Sequence, residues 1–127
     1  PVALESALKI KEVSYIHAEG LAAGELKHGT IALVEKGTPC MVFIANDAFK
    51  NDVLGSASEL KARGAFLIGV SPERHDVFDE WIEVPDLGGV SPLTHMIAAQ
   101  IFAYYLAVER GHNPDMPRNL AKSVTVK

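Results

Sequence analysis

Cys40 is the only cysteine in this chain, so no internal disulfide can form, and a reducing cytoplasm is the expected setting. The thiol sits within the apolar run CMVFIA and reads as core filler rather than as a nucleophile. No apolar run approaches the ~20 residues that a membrane span needs. A basic excess is missing too: 12 Lys and Arg against 16 Asp and Glu give a net charge of -4, which leaves no broad footprint for nucleic acid. The chain opens PVALESALKIK, with neither a secretory pattern nor an initiating methionine, so a processed or excised piece is expected. None of the histidines (His17, His28, His75, His95, His112) has a partner at the spacing of a zinc-binding helix or finger, and no metal is expected.

The last absence is a phosphate grip. Such sites usually combine a helix N-terminus with a loop rich in glycine or hydroxyls. After the first buried apolar run this chain reads ANDAFKND, and after the second SPERHD. There is no Walker loop and no G-x-G-x-x-G. The phosphate of a phosphorylated ligand would have to be gripped mostly by something else.

What is present describes one ordinary globular domain: 127 residues, 48% hydrophobic and 22% charged. Val2 to Tyr15 reads as a helix with Leu4, Leu8 and Tyr15 on its apolar face. YIHAEG is ambiguous, with a possible strand at Ile16 to Glu19, and AAGELKHGT reads as a brief helix stopped by Gly29. PCMVFIA and AFLIGV have the length and continuity of strands covered on both faces, and EWIEV is a shorter third. Asp52 to Arg63 reads as an amphipathic helix ended by Gly64. Ser91 and Pro92 read as a cap and first-turn proline for a helix that runs to Gly111, apolar on most of its surface and so expected to be largely buried. Strands alternating with helices predict an α/β layered fold with parallel strands. The sheet is thin, and a first strand is expected upstream of Pro1.

Three places carry candidate chemistry. Glu5, Lys9 and Glu12 share one face of the opening helix. A surface ion-pair ladder accounts for them; the alternative is a carboxylate placed for proton transfer with an ammonium beside it. His28 precedes a glycine at a helix end, where the helix dipole alone would stabilise it, but imidazole also suits proton transfer near neutral pH. Lys122 stands in the tail PDMPRNLAKSVTVK, whose prolines and alternating Val124 and Val126 suggest a segment laid against a surface. A lysine on a loose tail is unremarkable; enclosed in a pocket, its amine can lose its proton and attack a sugar carbonyl to form a Schiff base. The packed character of the tail favours the second reading.

The runs ALESALKIKEVSYIHAEGLAAGELKHGTIALVEKGTPC and PRNLAKSVTVK resemble the C-terminal part of the glutamine–fructose-6-phosphate aminotransferase (isomerizing) family, the glucosamine-6-phosphate synthases. The resemblance covers nearly the whole chain and falls in the second of that family's two sugar isomerase (SIS) domains. It implies a flavodoxin-like SIS domain over residues 1–127, with a mostly parallel sheet flanked by helices, lacking its first strand and including a C-terminal tail at 112–127. It further implies conversion of fructose 6-phosphate and ammonia to glucosamine 6-phosphate without a cofactor. By motif, Lys122 corresponds to the Schiff-base lysine and Ala121 lies beside it in the substrate-binding tail. Glu12 corresponds to the carboxylate that moves a proton between C1 and C2, and Lys9 to a lysine supporting that step. His28 corresponds to the histidine of ring opening, serving the neighbouring subunit of a homodimer.

Departures from the family pattern bear on function. The family's glutaminase nucleophile is an N-terminal cysteine, whereas Pro1 starts this chain, so no glutamine hydrolysis is expected from it. The first SIS domain, whose Ser/Thr-rich loop holds the sugar phosphate in the family, is also absent, and little turnover is expected of the chain in isolation. Two other readings stay open: an SIS-type deaminase or deglycase acting on amino-sugar phosphates, and a non-catalytic sugar-phosphate-binding module.

Overall fold

The computed structural model describes residues 1–120. Its order is α1 (Val2–Ser14), two 3-10 turns (Ala23–His28 and Thr30–Leu33), β1 (Pro39–Phe43), α2 (Lys50–Ala62), β2 (Phe66–Ser71), β3 (Glu80–Glu83), a 3-10 turn at Gly88–Val90 and α3 (Ser91–Glu109). The strands form one parallel sheet in the order β1-β2-β3, with Val42 opposite Gly69 and Gly69 opposite Trp81. Among the described residues this is the three-stranded parallel sheet flanked by helices that the apolar runs predict.

Alternation along the strands divides the core between two faces. Val42, Ile44 and Leu67 pack with Ala57 and Leu60 of α2 and with Phe78, while Val70 and Val84 pack with Ala98 of α3. Cys40 lies half-buried at the edge of the first cluster, and burial pushes its thiol up, away from the reactive thiolate. The loop from β2 to β3 spans only eight residues, Pro72 to Asp79. Parallel strands usually need a longer crossover. Gly69 makes this one possible, because the Phe78 ring occupies the space where a Cβ would stand.

The faces of the helices differ from the expected ones. In α1 the buried residues are Ser6, Ala7 and Ser14, while Leu4 and Leu8 are exposed. Both serine hydroxyls donate to carbonyls one turn back, Ser6 to Val2 (2.7 Å) and Ser14 to Ile10 (2.6 Å), so the polar face can be buried. In α3 the buried stripe is His95, Ala98, Ala99, Ala103 and Ala107. Leu93, Ile97, Ile101 and Tyr105 are 65, 56, 52 and 60% exposed, so the helix is not largely buried. Ala98 packs on the sheet against Val70 and Val84, and where α3 meets α1 the Ser6 hydroxyl lies 3.8 Å from Met96 Sδ; Leu93, Ile97, Ile101 and Tyr105 are left outside.

Two local expectations also change. Ile16 to Glu19 is not a strand, because Tyr15 takes a left-handed conformation (φ 58°) and turns the chain back along α1. Gly20 then lies against Ala3 and Leu4, where a Cβ would collide with backbone. Ser91 is the first residue of α3 rather than its cap; its hydroxyl accepts the Leu87 N–H (2.9 Å) and donates to Asp86 (3.2 Å), tying down the loop that enters the helix.

Candidate active site

The last turns of α1 bring the predicted acidic and basic groups together. Lys9 Nζ donates to Glu12 Oε2 at 2.8 Å and lies 3.4 Å from Glu5 Oε1. The hydrogen bond to Glu12 raises the Lys9 pKa, with partial burial opposing it. Lys9 is therefore a fixed ammonium rather than a base. It anchors one oxygen of Glu12, and the other, Oε1, makes no hydrogen bond among the described residues. A carboxylate held at one oxygen and free at the other is suited to accepting and returning a proton.

His28 is exposed at the end of its 3-10 turn. That turn is fastened to α2 by the Lys27–Glu59 ion pair (2.6 Å) and by Ser56 Oγ donating to the Ala23 carbonyl (3.3 Å). Within this chain His28 makes no hydrogen bond or ion pair with Glu12 or Lys9. Ala121 and Lys122 lie outside the described residues.

At the carboxyl ends of the strands, where parallel α/β sheets usually take ligands, the chain's own side chains form a network. Asn46 donates to Asp86 (3.0 Å), and Lys50 donates to both Asn46 and Glu73 (2.9 Å each). Asp86 also accepts the Gly88 N–H (3.0 Å), and that bond, with the one from Asn46, lowers its pKa. A phosphate arriving there would meet two carboxylates, in keeping with the absence of a phosphate loop in the sequence.

One contributor escapes sequence reading. Tyr15, the residue that ends α1, accepts a hydrogen bond from the Arg118 backbone N–H (2.7 Å), and the Arg118 guanidinium stands 4.1 Å above its ring centre. His112 meets the same ring edge-on at 4.7 Å. Helical spacing assigns Tyr15 to an apolar face; only the return of a segment 103 residues later reveals these contacts.

The SIS domain family matches residues 1–110. The chain belongs to the SIS domain family. This SIS domain is 49% identical to glutamine–fructose-6-phosphate aminotransferase (isomerizing) of Pyrococcus horikoshii and 50% identical to that of Pyrobaculum aerophilum, in each case over 100% of the chain. It spans only 22% of the length of those curated relatives. Among solved structures, the C-terminal domain of glucosamine-fructose-6-phosphate aminotransferase from Francisella tularensis matches with a TM-score of 0.83 and 36% identity, covering 91% of this chain and 34% of that one. Glucosamine-6-phosphate deaminase from Thermotoga maritima matches with a TM-score of 0.71 and 30% identity, over 97% of this chain and 36% of that one.

Proposed function

We propose that this SIS domain is the second SIS domain of the isomerase module of a glutamine–fructose-6-phosphate aminotransferase, forming glucosamine 6-phosphate from fructose 6-phosphate and ammonia. The Lys122 amine adds to the C2 carbonyl of the open-chain ketose and water leaves, giving a Schiff base. Because the product carries the ammonia nitrogen at C2, ammonia must replace lysine there and free the amine. Glu12 takes a proton from C1 and returns it to C2, which moves the carbonyl character to C1 and leaves a 2-amino aldose. Lys9 stays protonated and holds Glu12 in place. His28, with no hydrogen bond or ion pair to Glu12 in its own chain, serves ring opening in the site of a neighbouring subunit of a homodimer. A first SIS domain grips the phosphate, Ala121 is assigned to substrate binding by its motif, and a glutaminase domain supplies the ammonia.

The observation that supports this reading is the Glu12 carboxylate, anchored at one oxygen by Lys9 and, among the described residues, without a hydrogen bond at the other. The test is a chimera in which this chain replaces the matching 22% of the Pyrococcus horikoshii relative. It should form glucosamine 6-phosphate from fructose 6-phosphate and ammonium, and Lys122→Arg should abolish this; an active Lys122→Arg chimera would contradict the Schiff base. The likeness to the Thermotoga maritima deaminase favours a second reading, release of ammonia from glucosamine 6-phosphate. Product analysis from each substrate separates the two.

A further inference from the structure

We propose that Tyr15 is a positioning residue that clamps the C-terminal tail one helical turn from Glu12, and so confines the Lys122 amine to the sugar's carbonyl; this rests on the Schiff-base reading above. Two residues of the tail, six apart, meet on the one ring. His112, just after α3, stands edge-on at 4.7 Å, and Arg118 covers the face at 4.1 Å while its backbone N–H donates to the phenol oxygen at 2.7 Å. The intervening segment is therefore a loop closed on Tyr15 at both ends. Tyr15 itself is held at φ 58°, ψ 24°, a left-handed conformation uncommon for an aromatic residue. That conformation makes Tyr15 the C-cap of the same helix that carries Glu12 on its last turn.

Chain length turns this contact into a catalytic consequence. Lys122 follows Arg118 by four residues, a length of chain that can reach at most roughly 14 Å from the clamp. With the clamp open, the tail is tethered at Gly111, eleven residues away, and reaches up to roughly 38 Å. The local concentration of the amine at the sugar then falls about fivefold if it scales as the −3/2 power of tether length, and about twentyfold if it scales with the volume swept.

The test uses Tyr15→Ala, Tyr15→Phe, Arg118→Ala and Arg118→Lys. Hydrogen exchange is measured on the chain itself, and borohydride trapping of fructose 6-phosphate on Lys122 in the chimera. Tyr15→Ala should abolish protection of the Arg118 amide, leave β2 amides protected, and slow trapping about tenfold. Tyr15→Phe keeps the ring and should lie between wild type and Tyr15→Ala. Arg118→Lys, which restores a cation over the ring, should recover part of what Arg118→Ala loses. An unprotected Arg118 amide in the wild-type chain, or wild-type trapping by a folded Tyr15→Ala variant, overturns the clamp. A wild-type chimera that takes no label overturns the Schiff-base reading and with it the purpose of the clamp, and intact Arg118 protection would then show that the failure lies in the chemistry.

Discussion

At the scale of single residues, Lys9 and Glu12 separate chemical role from structural role. Both side chains are partly exposed, 31 and 27%, and an ion pair so placed contributes about 0–1 kcal/mol. Glu12→Gln is therefore expected to leave the melting temperature within a few degrees of wild type. It should lower the rate of the isomerase step in the chimera by roughly 10²–10⁴-fold, the usual worth of a positioned proton carrier. A calorimetric scan beside a product assay checks both halves. The raised pKa of Lys9 has a definite sign. Its stabilising effect is complete below the ordinary lysine value of about 10.4 and is lost only as pH climbs through the higher folded value, so Lys9 adds no titration near neutrality. His95 behaves oppositely. Buried, with Nε2–H donating to the Ile44 carbonyl at 3.1 Å, it has a pKa lowered by desolvation, which the hydrogen bond partly opposes. The unfolded chain therefore binds the proton first on acidification, and stability should fall as pH drops below about 6.5. His95→Gln should flatten that part of a urea-stability profile taken from pH 7.5 to 5. The Glu5–Lys9–Glu12 ladder was legible in the sequence because it depends only on helical spacing. Tyr15 was not, because its partners come from the far end of the chain.

At the scale of elements, strand and helix positions followed closely from the apolar runs and their stops, but helix faces did not. A helix as apolar as α3 does not announce which side it buries. The alanine stripe went inside, with Ala98 against the sheet, and the larger apolar residues Leu93, Ile97, Ile101 and Tyr105 of the same helix stayed out. The short β2–β3 crossover was equally hidden, since it depends on Phe78 lying over Gly69. Gly69→Ala should force that ring aside and destabilise the domain by about 1–3 kcal/mol, the range of an overpacked core. Chemical denaturation would measure this, and an unchanged midpoint would deny the contact.

At the scale of the whole molecule, a groove of about 450 Å³ lies between β3 and α3, lined by Ile82, Val84, Ile97, Ile101 and Tyr105, the last three exposed. The isolated chain should bind an apolar fluorescent dye there, and Ile97→Glu with Ile101→Glu should reduce the signal severalfold without unfolding the sheet. Acid should loosen the molecule through Glu73, Asp79 and Asp86. Their pKa values are lowered, first by Lys50 for Glu73, by Lys61 for Asp79 and by the Gly88 N–H for Asp86. Lowered carboxylates stabilise above the ordinary value of about 4 and lose that effect as pH falls through the folded value. Asp79→Asn should therefore shrink the loss of stability between pH 5 and 2.

In the proposed reaction Lys122 bonds to the sugar while Glu12 moves its proton. Borohydride reduction of the chimera with fructose 6-phosphate, followed by peptide mapping, tests both at once. A sugar is expected on Lys122 in the parent chimera and also in its Glu12→Gln variant, which should form the adduct but almost no product. A parent chimera labelled elsewhere or not at all, or a Glu12→Gln variant with undiminished product, would contradict it.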